Sequence, residues 1–196
     1  MTKGVPAEVT DRFEVYDWRN GVAILEAVKP EEFAEVCDVL GRFELRRSWI
    51  AAGGGSKSNV ARYIDDEFGA HGWIETKFET GIVVDGVETP SPTHKVDCFK
   101  NGVALEMEWN NKDPFFDRDL NNFRLLYDLR VVDVGIIVTR TTALQETLTS
   151  VGRSSTTYGK ATTHTEKLYP KIDGGGAGGC PVIVFGIKPE AFRDDS

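Results

Sequence analysis

The stretch KVDCFKNGVALEMEWNNKD, residues 95–113, limits the fold more than any other part of the chain. Asn101-Gly102 separates two short runs of strand-forming residues, the strongest short-range signal for a hairpin closed by a type I′ turn. With these two residues as the loop, Lys100 faces Val103, Phe99 faces Ala104, Cys98 faces Leu105 and Asp97 faces Glu106. Opposed side chains share a face with Cβ atoms about 4.5–5.5 Å apart, and like charges so placed destabilise the pair. Glu108 returns to the face of Glu106, while Leu105, Met107 and Trp109 turn the other way. Three acids together, with Lys95 as the nearest obvious counter-charge, need open water or a cation. A divalent metal fits the second case, since Mg²⁺ is held by one or two carboxylates plus substrate phosphate oxygens. The spacing leaves both cases open, because antiparallel hairpins commonly carry acids on a solvated face.

Helical and strand patterns surround this hairpin. PEEFAEVCDVLGRFEL places Pro30 in a first turn and Phe33, Val36, Val39 and Leu40 at helical spacing, which predicts a helix ending near Gly41. Ser58 or Asn59 caps a second helix ending near Gly69. After the hairpin, Asp113 precedes Pro114 as a cap, and Phe116, Leu120, Phe123 and Tyr127 form one helical stripe. VVDVGIIVTR and CPVIVFGI read as buried strands, whereas RFEVYDW and GVAILEAV fit either strand or helix. Strand, helix, strand is a right-handed crossover, so the Glu106/Glu108 strand and the Val134–Val138 strand should run parallel in one mixed sheet. The fold class is α/β, a mixed central sheet flanked by helices. The run GGGSKS does not fit the G-x-x-x-x-G-K-[ST] phosphate loop and has no hydrophobic strand before it; a turn and a close backbone approach, to a partner subunit for instance, are expected there.

Between the last two strands lies a long Ser/Thr/Gly-rich connection, about residues 140–179, and long loops on a rigid sheet usually carry function. Its segment from 140 to 171 holds Arg140, Arg153, Lys160, Lys167 and Lys171 against Glu146 and Glu166. That local positive charge matters because the formal net charge of the 196 residues is −8, which argues against a non-specific coat on nucleic acid but not against a basic cleft. One domain, 1–196, is expected, with 40% hydrophobic and 28% charged residues. No apolar run approaches a membrane span and the N-terminus has no signal-peptide core, so no membrane partner and a cytoplasmic location are expected. Cys37, Cys98 and Cys180 are too far apart and too few for a disulfide framework or a zinc site.

Asp, then Glu-x-Glu across a hairpin, then a helix and a strand, resembles the metal-dependent nuclease core with the P-D…(D/E)-x-K pattern. Glu108 fills the usual lysine position, as in BamHI-like enzymes, whereas BglII-type enzymes carry glutamine there. EWNNKDPFFDRDL and THTEKLYPKIDGGGAGGCPVIVFGI are similar to BglII- and BstYI-type restriction endonucleases, over almost the full chain. The resemblance implies a restriction-endonuclease-like core and a homodimer that hydrolyses double-stranded DNA at a palindrome containing GATC, functionally paired with a DNA methyltransferase. It implies Asp97, Glu106 and the Met107 backbone carbonyl as ligands of Mg²⁺, with Glu108 orienting or deprotonating the attacking water. Lys112 lies just past the strand end, within reach of phosphate. For base reading, Arg153 suits guanine, Ser154, Ser155, Thr156 and Thr157 offer short hydroxyls, and Asn110 and Asn111 suit adenine. His164 and Lys167 are expected to touch the DNA backbone. Two rivals share parts of this pattern: a nuclease of the same fold in DNA repair or RNA processing, and a catalytically inactive DNA-binding relative.

Overall fold

A computed structural model describes residues 4–52, 57–153, 158–159 and 161–196, with the Ser91 and Pro92 side chains left aside. The strands are β1 (Phe13–Trp18), β2 (Leu45–Arg46), β3 (Ile74–Thr76), β4 (Glu79–Val84), β5 (Val87–Pro92), β6 (Val96–Lys100), β7 (Val103–Glu108), β8 (Val134–Arg140), β9 (Val182–Ile187) and β10 (Phe192–Arg193). The helices are α1 (Ala7–Thr10), α2 (Gly21–Val28), α3 (Pro30–Gly41), α4 (Arg47–Ala51), α5 (Asn59–Ala70), α6 (Pro114–Asp128), α7 (Leu144–Ser150) and α8 (Thr165–Asp173). Among the described residues no helix is long and apolar enough to cross a membrane.

The main sheet has the order β1-β9-β8-β7-β6-β3. Strands β7, β8 and β9 are parallel, and the flanking pairs are antiparallel. The expected parallel pairing of β7 with β8 is therefore present, with Glu106 beside Ile137 and Glu108 beside Thr139. Alternation along the strands feeds two cores. Leu105, Met107, Ile136, Val138, Ile183 and Phe185 pack towards α3 and α5, while Ala104, Ile137, Val182 and Val184 pack towards α6 and α8.

Local chemistry explains the boundaries. Pro30 starts α3, and the Ser58 hydroxyl accepts from the Ala61 N–H at 3.1 Å to cap α5. RFEVYDW is a strand and GVAILEAV a helix, joined by Arg19 and Asn20 at positive φ. Asp113 does not cap α6 with its side chain; its N–H donates to the Ala161 carbonyl and its carboxylate lies 3.9 Å from Lys167 Nζ. The stretch from about 140 to 179 is not one loop. Leu144 and Leu148, and Leu168 and Ile172, are buried pairs four residues apart that support α7 and α8, a period hidden by the Ser/Thr content around it. Strands β4 and β5 form a second hairpin, turning at Asp85-Gly86 with positive φ at both residues and with Ile82, Val83, Val84 and Val87 exposed.

Candidate active site

Asn101 and Gly102 have φ of 51° and 85°, the left-handed pair that a type I′ turn requires. The β6–β7 ladder runs from Lys100–Val103 through Phe99–Ala104 to Cys98–Leu105. Where it stops, side chains continue it: Asp97 Oδ2 accepts from the Met107 N–H at 3.0 Å, and the Asp97 N–H donates to Glu106 Oε2 at 3.3 Å. Asp97 and Glu106 are thus adjacent, as the hairpin register requires.

The acid face is not solvated. Glu106 and Glu108 are 0% and 1% exposed because α6 covers them. Helix α6 lies close to the sheet because Gly135 has no side chain: a Cβ there would meet the Phe123 ring at 2.4 Å. The same helix delivers Asp119, also 0% exposed, to the two glutamates. Asp119 escaped the sequence reading, although a signal was present. It falls three residues after Phe116 and four before Phe123, an acid on the apolar stripe of a helix. Its neighbour Arg118 was missed as well; Arg118 Nη2 reaches Glu108 at 3.2 Å and Asp119 at 2.7 Å.

One arginine for several buried acids leaves the cluster short of positive charge. Burial first, then Asp119 and Asp97, push the Glu106 carboxyl well above the usual carboxylate range. Burial and then Asp119 raise Glu108 to about 9, against hydrogen bonds and charge from Asn111 and Arg118. Burial raises Asp119 to about 6, opposed by Arg118. The Glu108 and Asp119 carboxyls are within bonding reach of each other, which two ionised acceptors can use only if one holds a proton. Among the described residues Glu106 Oε1 and Asp119 Oδ2 are buried without a hydrogen-bond donor.

The other residues singled out from sequence fall into three groups. Asn111 joins the acids, its Nδ2 donating to Glu108 Oε2 at 2.7 Å; Asn110 and Lys112 flank it, Lys112 exposed and in a β-bridge with Thr162. Arg153 is turned inward: Nε donates to the Ile50 carbonyl at 2.6 Å and Nη2 to those of Ala51, at 3.0 Å, and Ala52. These carbonyls end α4, so the guanidinium closes a helix C-terminus, where a cation is favoured. His164 is also turned inward, 6% exposed, with its pKa lowered by burial and then by Arg140; it presents no cation to DNA in this conformation. Lys167 is half-buried beside Asp113. Ser154, Ser155, Thr156 and Thr157 lie outside the described residues. Among the described residues no three His, Cys, Asp or Glu side chains already converge on a metal position.

A mixed sheet flanked by helices, with acids gathered between the hairpin strand and the crossover helix, defines a restriction-endonuclease-like α/β protein. The family model described as restriction endonuclease BglII/BglIII matches residues 13–187, and the chain belongs to that family. It is accordingly a type II site-specific deoxyribonuclease acting on double-stranded DNA, in a family that is generally metal-dependent. None of the individual curated proteins compared with it is similar enough to count as a match.

Proposed function

We propose that this single-domain chain is a Mg²⁺-dependent homodimer that cleaves both strands of a palindrome containing GATC, Asp97, Glu106 and Glu108 carrying the chemistry. The observation that supports this best is the packing of Glu106, Glu108 and Asp119 into one buried cluster with Asp97 at its rim. An acid cluster held against its own repulsion suits a cation, and the donors fit a hard one: carboxylate oxygens, including the unpartnered Glu106 Oε1. A cage complete in the free protein is not required, because Mg²⁺ takes only one or two carboxylates and draws further ligands from substrate phosphate. Asp97, Glu106 and the Met107 carbonyl would hold it. When bound, the cation supplies Lewis acidity to the scissile phosphate and lowers the pKa of an attacking water.

The chain's own residues do the rest. Glu108 orients or deprotonates the water, and for the second its carboxylate must be ionised. Nearby positive charge favours that form, and Asn111 and Arg118 hold it by hydrogen bonds at 2.7 and 3.2 Å. Asp119, the acid contributed by α6, takes up the shared proton as Glu108 ionises. Asn110 and the stretch 153–157 read the duplex, with Lys112 and Lys167 against its backbone; Arg153 does so only by releasing the α4 carbonyls, and Asn111, whose amide holds Glu108, is committed to the acids instead. Helices within residues 30–70 form the two-fold interface that a palindrome requires, and a DNA methyltransferase of the same specificity protects the host.

Digestion of methylation-free plasmid with Mg²⁺, a chelator control, and mapping of the ends tests the reading. Discrete metal-dependent cuts at one GATC-containing palindrome are expected. Metal-independent cutting, or ends scattered over unrelated sequences, would refute it.

A further inference from the structure

The strand that carries the glutamates does not end at Glu108 in isolation. Its continuation, residues 111–113, is stitched antiparallel to residues 161–163. Lys112 bridges Thr162, the Thr163 N–H donates to the Asn111 carbonyl at 2.9 Å, and the Asn111 N–H donates to Thr163 Oγ1 at 3.2 Å. The Asp113 N–H donates to the Ala161 carbonyl at 3.1 Å. Asn111 is therefore held by its backbone on one side while its amide holds Glu108 Oε2 on the other.

Beneath this ribbon sits Arg140, at 1% exposed the largest fully buried side chain, with no carboxylate partner among the described residues. Burying a cation without a counter-ion is costly. What Arg140 obtains is geometry. Nη2 donates to Thr162 Oγ1 at 2.8 Å and to the Tyr158 carbonyl at 3.3 Å, and the guanidinium lies 5.9 Å from the Tyr158 ring centroid. The preceding residue, Thr139, donates from Oγ1 to the Glu108 carbonyl at 2.7 Å. Two successive residues of β8 thus fix the ribbon and the catalytic strand in one frame.

We propose that Thr163 and Arg140 are positioning residues for cleavage, setting the Glu108 carboxylate through Asn111. A shift of residues 161–163 moves the Asn111 backbone and with it the amide that orients Glu108. The inference rests on the reading of Glu108 as catalytic and extends it to residues that touch neither metal nor water.

The test compares wild type, Thr163→Val, Thr163→Ser, Arg140→Lys and Glu108→Ala on a duplex carrying the mapped site. Single-turnover cleavage is measured with Mg²⁺, and affinity for the same duplex is titrated without metal. Valine removes the acceptor for the Asn111 N–H and serine keeps it; lysine keeps the charge but not the fork that joins Thr162 to Tyr158. Thr163→Val and Arg140→Lys should cleave about 10- to 100-fold more slowly with affinity little changed, the scale seen when a residue supporting a catalytic group is lost, and Arg140→Lys should also melt lower because a buried cation loses hydrogen bonds. Thr163→Ser should restore the rate. Wild-type cleavage in Thr163→Val, failure of serine to rescue, or parallel losses of binding and cleavage would overturn the proposal. If Glu108→Ala is inactive and Thr163→Val is not, the positioning role alone fails. Wild-type cleavage by Glu108→Ala removes the assignment of Glu108 and this inference together.

Discussion

Glu108→Gln, studied without metal, isolates the electrostatics of the acid cluster. Glu108 is raised from 4.5 to about 9 by burial and then by Asp119. For an acid whose folded pKa lies above its unfolded one, the protonated form is favoured by folding. Its contribution to stability is intact below about pH 4.5 and is lost as pH rises towards about 9. One pKa unit is about 1.4 kcal/mol, so at pH 7 the native state has lost about 3 kcal/mol that a neutral side chain would not lose. Glutamine is such a side chain. It misplaces one amide nitrogen against either Asn111 or Arg118, at a cost of about 1 kcal/mol, so the two proteins should be close in stability near pH 5. By pH 7 the variant should melt higher by roughly 4–8 °C, given about 2–4 °C per kcal/mol for a chain of this size. Differential scanning calorimetry from pH 5 to 8.5 in chelator gives the difference curve. A difference that stays constant across that range would refute the argument that Glu108 folds as a neutral acid.

Asp97→Ala or Glu106→Ala should abolish Mg²⁺-dependent cleavage, leave DNA binding intact in gel-shift titration, and leave metal-free thermal stability unchanged or slightly raised, because one of several crowded carboxylates is removed. Arg153→Ala should destabilise the fold by about 1.5–3 kcal/mol in urea titration, since the α4 carbonyls lose a charged donor. The same variant should lose affinity for the cleaved palindrome more than for random duplex; equal losses would leave Arg153 a helix clamp only. Lys167→Ala should weaken both duplexes alike and make the salt slope shallower by about 1, measured by titration at two salt concentrations. Light scattering should give the mass of two chains plus one duplex with DNA bound, and a monomer both free and bound would exclude the two-fold arrangement.

The sequence alone fixed what depends on near neighbours. Asn101-Gly102 set the turn because both positions need positive φ, and the turn set the register that brings Asp97 to Glu106. The helical period placed α3 and α5, and the order strand, helix, strand determined that β7 and β8 run parallel. Only the tertiary structure decided whether the acid face met water or protein. It met α6, because Gly135 lets Phe123 approach, and that approach buried Glu106 and Glu108 beside Asp119. The inward turns of Arg153, onto carbonyls 101 to 103 residues away, and of His164 could not be read locally either. A side chain's donors are claimed by whatever long-range packing brings to them, and a charge reads the same in sequence whether it faces a groove or the end of a distant helix.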